Sequence, residues 1–246
     1  MAAGAAVVSG ADWGEDGGGA SAANIRASLD ESRTRLGTDV IDLFYLHRWD
    51  GDTPLAETYD CLAEMVKAGA IRAIAVSNHA AWQVMKAQRA AAERGLRIAA
   101  IQPMYNLVKR QAEVELLPMA ADQDMIVAPY SPLGGGLLTG KYATGGTGRL
   151  TTDDRYAARY APDWMHRAAE GVAALAAEHG THPATLAVAW AMRHPAVTAP
   201  IVSARSAEQL APSLAALDFA LDDALATRME ALVPAPAPAT DRLEEA

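Results

Sequence analysis

The sequence predicts an α/β fold in which parallel strands alternate with helices packed outside them. Three observations carry that expectation. Short, continuous apolar runs recur along the chain, each followed by an amphipathic stretch at helical spacing, as strands buried on both faces require. Polar residues gather at the C-terminal ends of those runs: His47, Ser77-Asn78, Gln102, Tyr130 and Ser203–Arg205. In a βα barrel that is the face where ligands bind, and 246 residues is the size of one such domain.

The elements follow in order. Ala5-Ala6-Val7-Val8 reads as a short strand in an otherwise irregular start over residues 1–20. Ser21 can cap a helix that carries Ile25, Leu29 and Leu36 on one face and stops at Gly37. Residues 40–47 form a strand too apolar to be half exposed, with Tyr45 on the same strand face as His47 and one layer deeper. Pro54 opens a helix with Leu55, Tyr59, Leu62 and Val66 on one face, closed by Gly69. Ile71–Val76 is a strand, 80–94 a helix ended by Gly95, Ile98–Ile101 a strand, and Met125–Pro129 another. A Gly-rich loop over about 133–150 leads to helices at 163–179 and 183–194. A last strand, Ala199–Val202, enters a helix from Ser206, and a final helix covers 221–232. One domain over 1–233 is expected, with the Pro/Ala-rich tail 234–246 disordered.

Composition narrows the function. The formal charge is −9 with no basic run, which leaves no positive surface for nucleic acid. A single cysteine, Cys61, excludes an intrachain disulfide and a Cys-built metal site and fits a reducing compartment. No apolar stretch approaches the roughly 18 residues of a membrane span, and the first ten residues lack the basic start of a signal peptide. A soluble, cytoplasmic protein is expected, without a membrane partner.

Several constellations can carry chemistry, each with a plainer alternative. Ser206 and Gln209 form a capping box at a helix start, whose free N–H groups and Arg205 suit a phosphate; the alternative is a capped helix with a surface arginine. His47 ends an apolar strand and reads as a catalytic or a structural histidine, while Arg48 and Asp50 beside it read as rim salt-bridge partners. Tyr45 is better read as a packing aromatic. Tyr130 opens a segment with three consecutive glycines, Gly134 to Gly136, which let backbone approach a ligand closely. A flat aromatic at a strand end can stack on a nicotinamide, with Gln102 and Asn78 supplying amide hydrogen bonds; a flexible loop beside a packing tyrosine is the alternative.

On these residues the chain resembles the aldo-keto reductases. Ser28–Leu36 with Asp39–His47 and Asp50, Gly69–Asn78, Gln102–Arg110 (QPMYNLVKR), Tyr130–Tyr142 and Pro200–Leu210 look like that family's successive signatures, in its order. The resemblance implies a TIM (β/α)8-type barrel that binds NADPH at its C-terminal face. It implies that Ser77, Asn78 and Gln102 hold the nicotinamide carboxamide and that Tyr130 stacks on the ring. Ser131, Leu133, Gly135 and Lys141 would line the pyrophosphate and ribose, Ser203, Arg205 and Gln209 would meet the 2′-phosphate end, and His47 would orient a substrate carbonyl.

The resemblance also has gaps. Ser203 stands where the family usually has Gly, and Ser213 where it has Asn. No segment resembling DTAxxYG and no strand-ending Lys is found, so the family's active-site Asp, Tyr and Lys have no counterparts. The expected fold is therefore an incomplete barrel lacking roughly the first two βα units, on the order of 80 residues. Carbonyl reduction of an aldehyde or ketone is the expected activity, severely impaired without the family's proton donor. A non-catalytic NADP(H)-binding or regulatory role, or a non-redox activity, stays open. An open barrel leaves sheet edges uncovered, so a homo-oligomer or a partner across the gap is expected.

Overall fold

The computed structural model describes residues 19–240, so the expected strand at Val7-Val8 and the end of the tail lie outside the described residues. The chain divides into two compact units. One takes the described residues up to Pro103 together with Met119–Ile126; the other takes Met104–Pro118 and the described residues from Val127 onward.

The first unit is built from α1 (Ala22–Leu36), β1 (Ile41–Leu46), α2 (Leu55–Lys67), β2 (Ile71–Ser77), α3 (Ala81–Ala92) and β3 (Ile98–Gln102). Ser21 caps α1 by accepting from the Asn24 N–H, and Gly37 ends it in the left-handed conformation that an L side chain resists. Ile25 and Leu29 are buried as expected, but Leu36 is exposed: it falls in the last turn, beyond the reach of the packed face. On α2 the buried face is Thr58, Tyr59, Cys61, Leu62 and Met65, so the stripe is centred differently from the Leu55–Val66 line expected.

The three strands pair in parallel. Leu46 lies opposite Val76, and Ser77 opposite Gln102, so the strands end at nearly the same level. Below those ends, Tyr45 packs on Ala75 and Ala100, with Leu43 against them. The large ring fits because its two neighbours are small, which bears out the packing reading of Tyr45. The sheet order is β1-β2-β3-β4, in which β4 (Ile126–Val127) begins at the last residue of this unit.

The remaining helices are α4 (Leu116–Asp122), α5 (Arg149–Thr152), α6 (Asp154–Arg159), α7 (Asp163–Glu178), α8 (Pro183–Arg193), α9 (Ala207–Leu214) and α10 (Asp223–Glu230). Helices α7, α8, α9 and α10 match the expected positions. Helix α8 is Ala-rich and buried along most of its length, and its Val188 and Ala189 pack with Ala216, Leu133 and Val202.

Three expectations are corrected. Met125–Pro129 shortens to the two residues of β4, and Ala199–Val202 reduces to a bridge between Tyr130 and Ile201. Pro129 and Pro200 explain both: neither has an N–H to give to a ladder, and the bond that forms is from the Ile201 N–H to the Pro129 carbonyl, 2.8 Å. The Gly-rich stretch is not an open loop. It is wound into 3₁₀ turns at Gly134–Thr139 and Lys141–Thr144, followed by α5 and α6. Helix α4 was not among the expected elements; it carries Pro118 in its first turn, where a missing N–H costs no helical bond.

Residues 234–238 carry no helix or strand. Among the described residues no helix is long and apolar enough to cross a membrane.

Asp50 is not a rim ion-pair partner. It is buried, and its carboxylate accepts from the N–H groups of Ala20 (2.7 Å), Asp52 (2.8 Å) and Thr53 (3.3 Å). Burial pushes its pKa up, but these donors outweigh burial and hold it below the ordinary 3.8. A carboxyl held below its unfolded value contributes stability above pH 3.8 that is lost as pH falls through the folded value. Asp50→Ala strands three donors and is expected to cost about 1.5–3 kcal/mol in chemical denaturation. Asp50→Asn should flatten the acid limb of the stability profile; an unchanged limb would show that this carboxylate does not anchor the loop.

Candidate functional site

In the first unit the level strand ends gather His47, Ser77, Asn78 and Gln102. His47 directly follows β1 and is half-buried. Ser77 is buried at the end of β2, and its hydroxyl donates to the Gln102 carbonyl, 2.8 Å, tying β2 to β3. Asn78 turns the chain out of the strand with φ +54, a conformation that asparagine tolerates better than most residues. Its amide Nδ2 donates to the His47 carbonyl, 2.8 Å, and to the Ser77 Oγ, 3.2 Å. Asn78 thus holds the end of β1 in place, a positioning role the sequence did not suggest.

Gln102 differs from its neighbours. It is buried, and its Nε2 has no hydrogen-bond partner. Burial pushes the Tyr45 phenol above its ordinary value and the Gln102 amide beside it pulls it back, but the approach falls short of hydrogen-bond geometry. An unmade bond on a buried amide costs about 1–3 kcal/mol, so such a group calls for an acceptor. A carboxamide or carbonyl oxygen at the strand ends is one, and this residue therefore fits a nicotinamide.

Sequence reasoning missed His79. It is buried just past Asn78, with Nδ1 donating to the Ser77 carbonyl at 2.7 Å and its ring meeting the edge of Trp49, centroids 5.5 Å apart. The signal available was its place one residue beyond the Ser77-Asn78 pair.

In the second unit Tyr130 sits at a junction, bridged to Met104 and to Ile201, its carbonyl accepting from the Tyr105 N–H. Burial raises the Tyr130 phenol above 10.0, with the Arg159 charge opposing. Ser131 has φ +59, and its carbonyl accepts from Asn106 Nδ2, 2.8 Å, a fully buried amide. Leu133 precedes three glycines with φ +58, +67 and +96. At Gly135 the constraint is doubled: a Cβ there would lie 2.8 Å from the Tyr156 ring and 3.1 Å from Leu150. This bare stretch of backbone lies under a tyrosine, which packs on it more closely than any side chain at position 135 would allow. Lys141 lies 4.9 Å from the Tyr142 ring, and the Tyr142 hydroxyl donates to the Gly135 carbonyl.

The third group is on the same unit. Ser206 caps α9 by accepting from the Gln209 N–H, and the Gln209 side chain accepts in return from the Arg205 N–H, both at 3.3 Å. The expected Ser206 cap is made, but the reciprocal half of the capping box is not: the Gln209 side chain takes the N–H of Arg205, one residue before the cap, instead of that of Ser206. Ser203, Arg205 and Gln209 are exposed there, and Ser213 is buried in the helix. The predicted residues thus fall into one set at the strand ends of the first unit and two sets on the second.

Residues 11–234 match the model of the aldo/keto reductase family. The chain belongs to that family. Its fold is the α/β TIM barrel and its members use NAD(P)H. The uncharacterized oxidoreductase YrpG of Bacillus subtilis is 35% identical over 92% of this chain and 68% of its own length. Protein tas of Escherichia coli is 34% identical over 85% of the chain and 66% of its own length. L-glyceraldehyde 3-phosphate reductase of Escherichia coli is 30% identical over 83% and 61%. The chain spans about two thirds of the length of these relatives. Its family is one of oxidoreductases.

The histidines set a pH dependence. Burial pushes His79 below 6.5, the bond to Ser77 opposing, and burial also lowers His194. A histidine depressed on folding contributes stability above pH 6.5 that is lost as pH falls through its folded value. The melting temperature is expected to fall between pH 6.5 and 5, and to fall less in His79→Gln. Equal slopes for the two proteins would assign the loss to other groups.

Proposed function

We propose that the chain binds NADPH and that its reaction type is reduction of an aldehyde or ketone to an alcohol. The observation that carries this reading is the buried, unpartnered Gln102 amide at the level where β1, β2 and β3 end. Gln102 with Ser77 would hold the nicotinamide carboxamide, Asn78 keeping the strand ends fixed, and Tyr130 would lie against the ring. Ser131, Leu133, Gly135 and Lys141 would line the pyrophosphate and ribose. Ser203, Arg205 and Gln209, at the capped start of α9, favour the phosphorylated cofactor over NADH, since free N–H groups, the helix dipole and a guanidinium all select an anion. Bound NADPH supplies the hydride. His47 would orient and polarise the carbonyl oxygen, and the proton that completes the alcohol would come from solvent water.

The 246 residues contain no counterpart to the family's tyrosine–lysine acid. Loss of a general acid costs about 10²–10⁴ in rate, so this chain by itself is expected to bind cofactor better than it turns over. The second reading is a non-catalytic NADP(H)-binding protein. The proposal includes a single barrel domain over 1–233 and a place in the cytoplasm. Among the described residues β1 is an edge of the sheet, and we extend the proposal to a second copy or a partner that covers it. Sedimentation of a monodisperse monomer would argue against that extension.

Titration with NADPH, followed by nicotinamide fluorescence, tests the cofactor reading. Saturable binding is expected, weakened about tenfold by Arg205→Ala, with a smaller loss for NADH, as removal of a charge-assisted contact to phosphate requires. Gln102→Leu should weaken both cofactors alike. Folded protein that binds neither cofactor would discard the reductase and the binding-protein readings together.

A further inference from the structure

Packing accounts for the ring of Tyr45 but not for its hydroxyl. The ring is buried against Ala75 and Ala100, both small enough to let it lie across β2 toward β3. The strand register puts these residues in one row: Tyr45 stands opposite Ala75, and Ala75 opposite Ala100. Side chains two residues apart share a face, so Ser77 and Gln102 form the next row above, at the strand ends. The ring therefore starts on β1 and reaches β3 one row beneath Gln102.

That placement depends on a step in the ladder. Ile74 pairs with Ile98 but Ala75 pairs with Ala100, so Ala99 has no residue opposite it. An extra residue of this kind turns every later side chain of its strand to the other face. Without it Gln102 would leave the face that carries Tyr45 and Ser77.

The Gln102 side chain has one of its two ends engaged. Its Oε1 lies 3.5 Å from the Ser77 hydroxyl, which also donates to the Gln102 backbone carbonyl at 2.8 Å. The Nε2 end makes no bond. Burial raises the pKa of the Tyr45 phenol, and the Gln102 amide is near enough to pull it back. A primary amide carries two N–H donors, of which a ligand carboxamide oxygen at the strand ends uses one. The other calls for an acceptor inside the protein, and a phenol oxygen can serve.

We propose that Tyr45 is a positioning residue for the cofactor: its hydroxyl takes one N–H of Gln102 and so aims the other at the carboxamide oxygen. The proposal rests on the NADPH reading for the identity of that carboxamide, and on the sheet alone for the Tyr45–Gln102 pair. Ser77 on the oxygen and Tyr45 on the nitrogen give the amide a single plane. Without the phenol oxygen the amide turns about its last torsion, which is a broad one, and binding must bear the cost of fixing it.

Tyr45→Phe tests this, because it keeps the ring and its packing and removes only the hydroxyl. NADPH is titrated by nicotinamide fluorescence, and 2′-phospho-ADP-ribose, the cofactor without its nicotinamide, by calorimetry. NADPH is expected to bind about threefold to tenfold more weakly to Tyr45→Phe, the range of one neutral hydrogen bond. Affinity for 2′-phospho-ADP-ribose should change by less than roughly twofold. Adding Tyr45→Phe to Gln102→Leu should have no further effect, since the pair is already broken. Unchanged NADPH affinity, an equal loss for both ligands, or additive losses in the double variant each overturns the proposal. So does a Tyr45→Phe chain that fails to fold, because the hydroxyl would then be holding the sheet.

If the wild-type chain does not bind NADPH, the cofactor reading fails separately, and the pair is decided without a ligand. The seven tyrosines are replaced by 3-fluorotyrosine, and the Tyr45 ¹⁹F resonance is the one absent from Tyr45→Phe. That resonance should move by more than its linewidth in Gln102→Leu. A resonance that stays in place rejects the pair.

Discussion

The level at which three parallel strands stop is the constraint on which the first unit's site depends. Side chains alternate along a strand, so a slip of one residue between β2 and β3 would turn Gln102 away from Ser77. The register is held from below and from above. Below, one ring, Tyr45, fills the space left by Ala75 and Ala100, and a bulkier residue at either position would force the strands apart. Above, the Ser77 hydroxyl locks onto the Gln102 carbonyl and the Asn78 amide onto the His47 carbonyl. Packing sets the height of each strand and side-chain hydrogen bonds fix its end, so the polar groups are fixed before any ligand arrives.

The second unit solves a different problem. Its strands are nearly absent because prolines interrupt them, and its polypeptide is held instead by side-chain amides reaching backbone. Asn106 is the plainest case. It is fully buried and satisfied by Ser131, Val108 and Tyr160, which sit on three separate stretches of chain. Burying an amide is costly unless its bonds are made, and here they replace the ladder that Pro129 and Pro200 deny.

Much of this was legible in the sequence, and the reasons differ by element. Strands 40–47, 71–76 and 98–101 announced themselves because burial on both faces leaves an unbroken apolar run. The caps at Ser21, Gly37 and Ser206 were legible because each is a local requirement of backbone geometry. The Gly-rich stretch misled because glycine signals freedom of φ but not what that freedom is used for; here it allows tight turns beneath Tyr156. Asp50 was misread since a charged residue near Arg48 suggests an ion pair; two of its donors, Asp52 and Thr53, are local, but the third, Ala20, is far off in sequence. His79 was invisible for a similar reason: its partners Ser77 and Trp49 come together only when β1 and β2 pair.

Gly135 and Tyr156 show what such closeness implies for descent. The ring of Tyr156 occupies the volume in which a side chain at position 135 would have to begin, while the positive φ of that residue already disfavours one. The two positions are therefore not free to drift independently. A relative that carries a small residue in place of Tyr156 loses most of the steric half of the restriction, Leu150 remaining, and keeps the conformational half, which asparagine or aspartate can meet. Across the family, the identity at one position should thus be correlated with the size of the residue at the other, a record of shared volume written in sequence.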